Sequence, residues 1–192
     1  MNEHIIVLHS TAGDLLTGRK VSQLAGLAAL HGLSLTYEGA TEVLSDFVQF
    51  TFLDQQSSAR LVLVDDYLNN LAYVSLQQMP DSAVKFITDW LRREIGAPSL
   101  REVKHLLEQD LEGHAAYVTH LGLLEQVHQS EAGTARLLQR ALASPLVEVV
   151  EKALIAAQQL RWPELSDDIR RLATHSPNPH LREFAGKVLA QL

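Results

Sequence analysis

Nine histidines in 192 residues are the first residues that could do chemistry, and that chemistry would be metal binding. Four of them, His105, His114, His120 and His128, fall in the first helical stretch of the second half. His120 and His128 share a face with Tyr117, Leu121, Leu124 and Val127. Eight residues of α-helix, at about 1.5 Å each, separate the two by about 12 Å. They cannot share one ion, and no His-Glu-x-x-His spacing occurs. No metal ligands are assigned. Tyr117, His120 and His128 are expected instead to line an interface or a groove.

Oxygen chemistry is the second possibility. Asp65-Asp66 with Asn69 and Asn70 could offer carboxylate and amide oxygens to a divalent cation, but the stretch lacks the glycine and the closing glutamate of a calcium loop. It reads as a solvated hairpin turn. From Ser34 to Asp81 seven acids (Glu38, Glu42, Asp46, Asp54, Asp65, Asp66, Asp81) face one base, Arg60, for a block charge of −6. An acidic sheet rim with Asp54, Asp65, Asp66 and Asn69 as contact residues would steer a basic partner. Solubility and protection of sheet edges would explain the same charges.

Nucleophiles and phosphate loops are weaker still. Gly13 and Gly18 precede Lys20, but Arg19 follows Gly18 and Val21 stands where a phosphate loop needs a hydroxyl. No Gly-x-Ser-x-Gly elbow is present; His9-Ser10, followed by Gly13-Asp14, is the one strand-end cluster of note. The absence of cysteine removes disulfides, thiolate metal sites and thiol catalysis. No catalytic residue and no cofactor is assigned.

The elements that carry these residues fall into two parts. Ile5 to His9 reads as a buried strand. A helix follows from Gly18-Arg19-Lys20, with Val21, Leu24, Leu27 or Ala28 and His31 on one face, and Gly32 ends it. Leu33, Leu35 and Tyr37 alternate with Ser34 and Thr36. Phe47 to Leu53, Arg60 to Val64 and Leu71 to Leu76 are further strands, and their short connections predict antiparallel hairpins. Asp81 is the expected cap of a helix whose face is Val84, Ile87, Leu91 and Ile95, broadened by Phe86 and Trp90. The fold class is α+β: two helices on one face of a small, mostly antiparallel sheet. Gly96-Ala97-Pro98-Ser99 marks the boundary between domains 1–96 and 97–192. Ser99 with Glu102 forms a capping box that starts a new helix. Helices run to about Asp110, from Gly113 to Gln129 and from Glu131 to Ala143.

The last third repeats itself. Ser144 and Ser176 stand 32 residues apart, and at that offset Ala141 matches Ala173, Pro145 matches Pro177, Glu151 matches Glu183, Ala153 matches Ala185 and Leu160 matches Leu192. Each copy reads as two helices joined at a Ser-Pro, with Ser144 as a cap and Pro145 in the first helical turn. Asn178-Pro179 plays that part for the last helix, and Pro163 opens the helix before it. The apolar stripe Leu146, Val149, Val150, Ala153, Ala157 and Leu160 has helical spacing. The Ser-Pro turn, the stripe and the small Ala153 and Ala185 resemble HEAT repeats, extending weakly back to about Leu100. That resemblance implies a stacked helical array with an extended protein-binding surface.

Charge narrows the partners. Residues 1–96 hold 6 basic and 11 acidic side chains, a charge of −5; residues 97–192 hold 10 and 12, a charge of −2. Phosphate neutralisation needs a basic surface, so no nucleic-acid partner is expected, and the near-neutral helical half disfavours the DNA-glycosylase role some HEAT-like proteins have. No stretch reaches membrane-spanning length, and Met1-Asn2-Glu3-His4 is no signal-peptide start; a cytoplasmic location is expected. The expected function is non-enzymatic protein binding: an adaptor, or an immunity or antitoxin-like protein masking a basic partner. A small enzyme with its site between the two domains and a self-associating structural subunit are the alternatives, and homo-oligomerisation through a free sheet edge goes with the last.

Overall fold

The structure is a computed structural model and describes residues 3–8, 18–44, 47–66, 71–127 and 132–192. The chain divides into two compact units, Met1–Pro98 and Ser99–Leu192. The fold is α+β.

Unit one is built on a five-stranded sheet of β1 (Glu3–Leu8), β2 (Leu35–Leu44), β3 (Phe47–Asp54), β4 (Arg60–Asp66) and β5 (Leu71–Gln77). The spatial order is β1-β5-β4-β3-β2, and every pairing is antiparallel. Consecutive strands β2 to β5 therefore form a meander, and β1 closes its far side. Pleating sorts the side chains. Ile6, Val74, Leu63 and Phe50 form one cross-strand row, and Leu76, Leu61 and Phe52 its neighbour. Against these rows α1 (Gly18–Ala29) places Leu24 and Ala28, and α2 (Asp81–Ile95) places Ala83, Val84, Ile87 and Leu91. Gly32 has φ 78° and lets the chain leave α1: Gly32 N donates to Ala29 O and Leu33 N to Ala28 O.

Three expectations need correction here. Strand β2 does not stop near Tyr37 but continues to Leu44, with register shifts between Tyr37 and Gly39 and between Glu42 and Leu44. Each shift is a bulge, which breaks the period-two pattern that sequence reading depends on, and Gly39 supplies a φ of 150° at the first. Asp65 and Asp66 do not lie in a turn; β4 runs through both, paired with β3 on one side and β5 on the other. Asp81 does not cap α2. Pro80 holds that position, and Asp81 sits in the first turn, where its charge suits the helix dipole.

Unit two is helical: α3 (Leu100–Gln109), α4 (Ala116–Val127), α5 (Ala132–Leu142), α6 (Val147–Leu160), α7 (Ser166–His175, after a 3-10 turn Pro163–Leu165) and α8 (Pro179–Leu189). Pairs α3–α4, α5–α6 and α7–α8 form three hairpins. Helices α3, α5 and α7 contact in sequence along one layer and α4, α6 and α8 along the other. Ser99 and Glu102 make the capping box: Glu102 N donates to Ser99 Oγ at 3.3 Å and Ser99 N to Glu102 Oε2 at 2.7 Å. Helix α4 meets α6 closely, because a Cβ on Gly122 would stand 2.8 Å from both Cα and Cβ of Ala156.

The offset of 32 is visible in the backbone. Ser144 Oγ accepts the N–H of Leu146 at 3.2 Å, and Ser176 Oγ accepts that of Asn178 at 3.3 Å. The next helix begins one residue later in each case, at Val147 and Pro179. This corrects the Ser-Pro reading. Ser144 caps the bend before the helix, Pro145 lies outside it, and Leu146 holds the cap position without a side-chain bond. Asn178 does cap, accepting from the N–H groups of His180 and Leu181. The spacing also reaches further back than the identities do. Helix α3 begins at Leu100 and α5 at Ala132; α4 begins at Ala116 and α6 at Val147.

Candidate functional site

The residues read from the sequence as partner contacts fall on both units, and each set is described within its own unit. Asp54 ends β3 and is 4% exposed. Its Oδ1 accepts the N–H of Ser34 at 2.6 Å and its Oδ2 the hydroxyl of Ser57 at 2.6 Å. Ser57 Oγ in turn accepts from Ala59 N, and Asp54 N donates to Ala59 O. The Ser57 hydroxyl bond, helped by the backbone N–H of Ser34 and opposed by burial, holds the Asp54 carboxyl below its ordinary range. This carboxylate ties two loops together; it is not a rim contact.

Asp65 is 2% exposed. Its cross-strand row is Leu8, Ala72 and Val48, on the same face as Leu63, which is the face that packs against the helices. It too is no rim residue, because a central strand leaves its helix-facing side no access to solvent. Asp66 points to the opposite face and is half-buried. Tyr73 lies beside it, and the phenol there is raised by burial first, then by the carboxylates of Glu3 and Asp66. Glu3 Oε1 also accepts from Ser75 Oγ at 2.6 Å and from Gln77 Nε2 at 3.3 Å. Asn69 lies outside the described residues. Among the described residues, the exposed acids of the sheet are Glu3 on β1 and Glu38 and Glu42 on β2.

In unit two, Tyr117 stands between His114 and His120, with ring centroids 6.0 and 5.2 Å away. Burial raises the Tyr117 phenol. His120 is 4% exposed, and its Nδ1 donates to Ala116 O at 2.9 Å, one turn back in the helix. Every residue from Val118 to Glu125 is buried, so this stretch of α4 has no wet face along which His120 could line a groove. This corrects its place as a contact residue. His128 lies outside the described residues.

A cluster that the sequence reading passed over lies inside the helical unit. Lys104 Nζ of α3 is 2.7 Å from Glu125 Oε1 of α4, with the glutamate side chain fully buried. Thr134 of α5 donates its hydroxyl to the same oxygen. The ion pair joins α3 to α4, and the hydroxyl ties in α5. The signal was present: Glu125 interrupts the apolar run from Leu121, and Lys104 sits beside Val103 on the face of Leu107. Chemically, the pair is a neutralised, hydrogen-bonded anchor. Among the described residues no group of three or more His, Asp or Glu side chains is placed to hold a metal ion, and no helix is long and apolar enough to cross a membrane.

The chain matches no protein-family model, and no curated protein and no solved structure shows significant similarity to it.

Proposed function

We propose that this chain is a non-enzymatic protein-binding module: an acidic α+β unit joined to a HEAT-like helical array, acting as an adaptor or as an immunity or antitoxin-like protein that masks a basic partner. The observation that carries this reading is the stack of three hairpins whose helix starts recur at a spacing of about 32 residues. Stacked hairpins present a long surface in which each pair contacts its neighbours, and such surfaces serve binding. The buried polar groups agree. Asp54, Glu125 and Lys104 are occupied in holding the fold, not held ready for a substrate. Net charge of −7 favours a basic partner.

Affinity capture of the tagged full chain from its source lysate, at low and at moderate salt, tests the reading. The expected result is one stoichiometric basic protein, retained at low salt and released as salt rises. Retention of nothing at either salt removes the binding-module reading.

A further inference from the structure

The two edges of the sheet differ. Strand β1 has six residues, and its last three are buried. Strand β2 has ten, no described strand lies beyond it, and its side chains from Thr36 to Glu42 are exposed apart from Gly39. Between the two bulges, Gly39, Ala40, Thr41 and Glu42 keep a regular ladder with β3, so their outer side is a short, straight pairing edge. A sheet edge of this kind is a template for another strand.

What lies on that edge selects the occupant. Leu35 to Asp54 contains the acids Glu38, Glu42, Asp46 and Asp54 and no lysine or arginine. Neither Glu38 nor Glu42 forms an ion pair among the described residues. Tyr37 is 51% exposed, with its ring held 5.2 Å from that of Phe52. Two exposed carboxylates beside an exposed, braced aromatic ring suit lysine or arginine side chains, by charge and by contact with the ring face. A second copy fits less well: it would set two acidic β2 strands side by side with no cation to offset Glu38 and Glu42, and like charges on paired strands repel.

We infer that β2 is the docking edge for an extended basic segment of a partner protein, which adds to the sheet as a sixth strand and sets its cations against Glu38, Glu42 and Tyr37. This rests on the protein-binding reading above and names the surface and the partner chemistry. Four regular ladder positions make the dock short, so binding is weak and salt-sensitive.

The test uses the full chain with a blocked nonapeptide alternating lysine and threonine as the probe, followed by backbone amide NMR. The peptide is expected to perturb amides of residues 36–42, to bind several-fold more weakly in 0.5 M salt, and to lose about fivefold in affinity in the double variant Glu38→Gln/Glu42→Gln. Tyr37→Ser is expected to cost about twofold to fivefold more. The two glutamate changes, at exposed positions, leave the unfolding midpoint unchanged, which separates lost docking from lost fold. Perturbation centred elsewhere, equal binding by the double variant, or equal binding of a glutamate–threonine peptide overturns the inference. So does concentration-dependent dimerisation through β2, which would make a second copy the occupant. If the double variant captures the lysate partner as well as the unaltered chain does, the inference fails while the protein-binding reading stands.

Discussion

Asp54 in the first unit and Glu125 in the second are both buried carboxylates, and their partners differ in kind. Asp54 has hydroxyl and backbone donors and, among the described residues, no ion pair, and its donors come from the loops around Ser34 and Ser57. Glu125 draws a cation from one helix and a hydroxyl from another. Asp54 thus sets local chain geometry in the sheet unit, whereas Glu125 fixes the mutual placement of three helices. Breaking the first should loosen loops; breaking the second should loosen a layer.

The largest effect expected is for Lys104→Met. It strands Glu125 as a buried charge and should cost about 3–5 kcal/mol, read by denaturant unfolding, with amide exchange accelerating in α3 to α5 and not in the sheet. Adding Glu125→Gln should recover much of that loss; if the double variant is no more stable than the single one, the ion pair is not what joins the layer. Next comes Gly122→Ala. The new methyl meets the Ala156 backbone, and the strain should be about 2–3 kcal/mol, again confined to the helical unit.

Asp54→Asn should destabilise the sheet unit at neutral pH by a smaller amount. Because the folded-state pKa lies below the unfolded value of about 3.8, the carboxylate's contribution is complete above that value and disappears as pH falls through the folded one. The difference in unfolding midpoint between variant and unaltered chain should therefore shrink below about pH 3.8. A constant difference across the range would show that shape and not charge matters at this position. The smallest effects compare the two helical copies. Leu146 and Asn178 occupy equivalent cap positions with nearly the same backbone, φ −87° and ψ 120° against φ −85° and ψ 116°. Asn178→Ala should lose about 1 kcal/mol, and Leu146→Asn should gain about 0.5–1 kcal/mol by supplying the cap its copy lacks. A neutral Leu146→Asn would separate the two turns in kind.

The α+β class was legible in the alternation of Phe47 to Leu53, the apolar faces of Leu24 and Ile87, and the Ser99–Glu102 box. What was not legible has identifiable causes. The far half of β2 is polar, contains Gly39 and is bulged twice, so neither composition nor period marks it as strand. Asp65 and Asp66 resemble turn residues until the ladder on both sides is known. The contact residues suffered most, since a charged side chain in sequence does not say which face of a strand it takes: Asp54 and Asp65 proved internal, while Glu3, Glu38 and Glu42 are exposed. The helical array was underread for the opposite reason. Residue identities fade before Leu137, but buried positions persist: Leu121 and Leu124 correspond to Ala153 and Ala156, and these to Ala185 and Val188. Spacing is retained where chemistry has drifted.

That spacing makes the length of the helical unit a stepwise quantity. Serine-anchored bends at Ser144 and Ser176 deliver the chain to the next helix through nearly the same cap dihedrals. A duplication or deletion of 32 residues cut at these bends moves every later helix by one whole hairpin and keeps its apolar side inward. A change of half that size swaps the two layers and turns buried faces to water. Growth and loss of the array are therefore expected in whole hairpins, and its length changes by one fixed increment at a time.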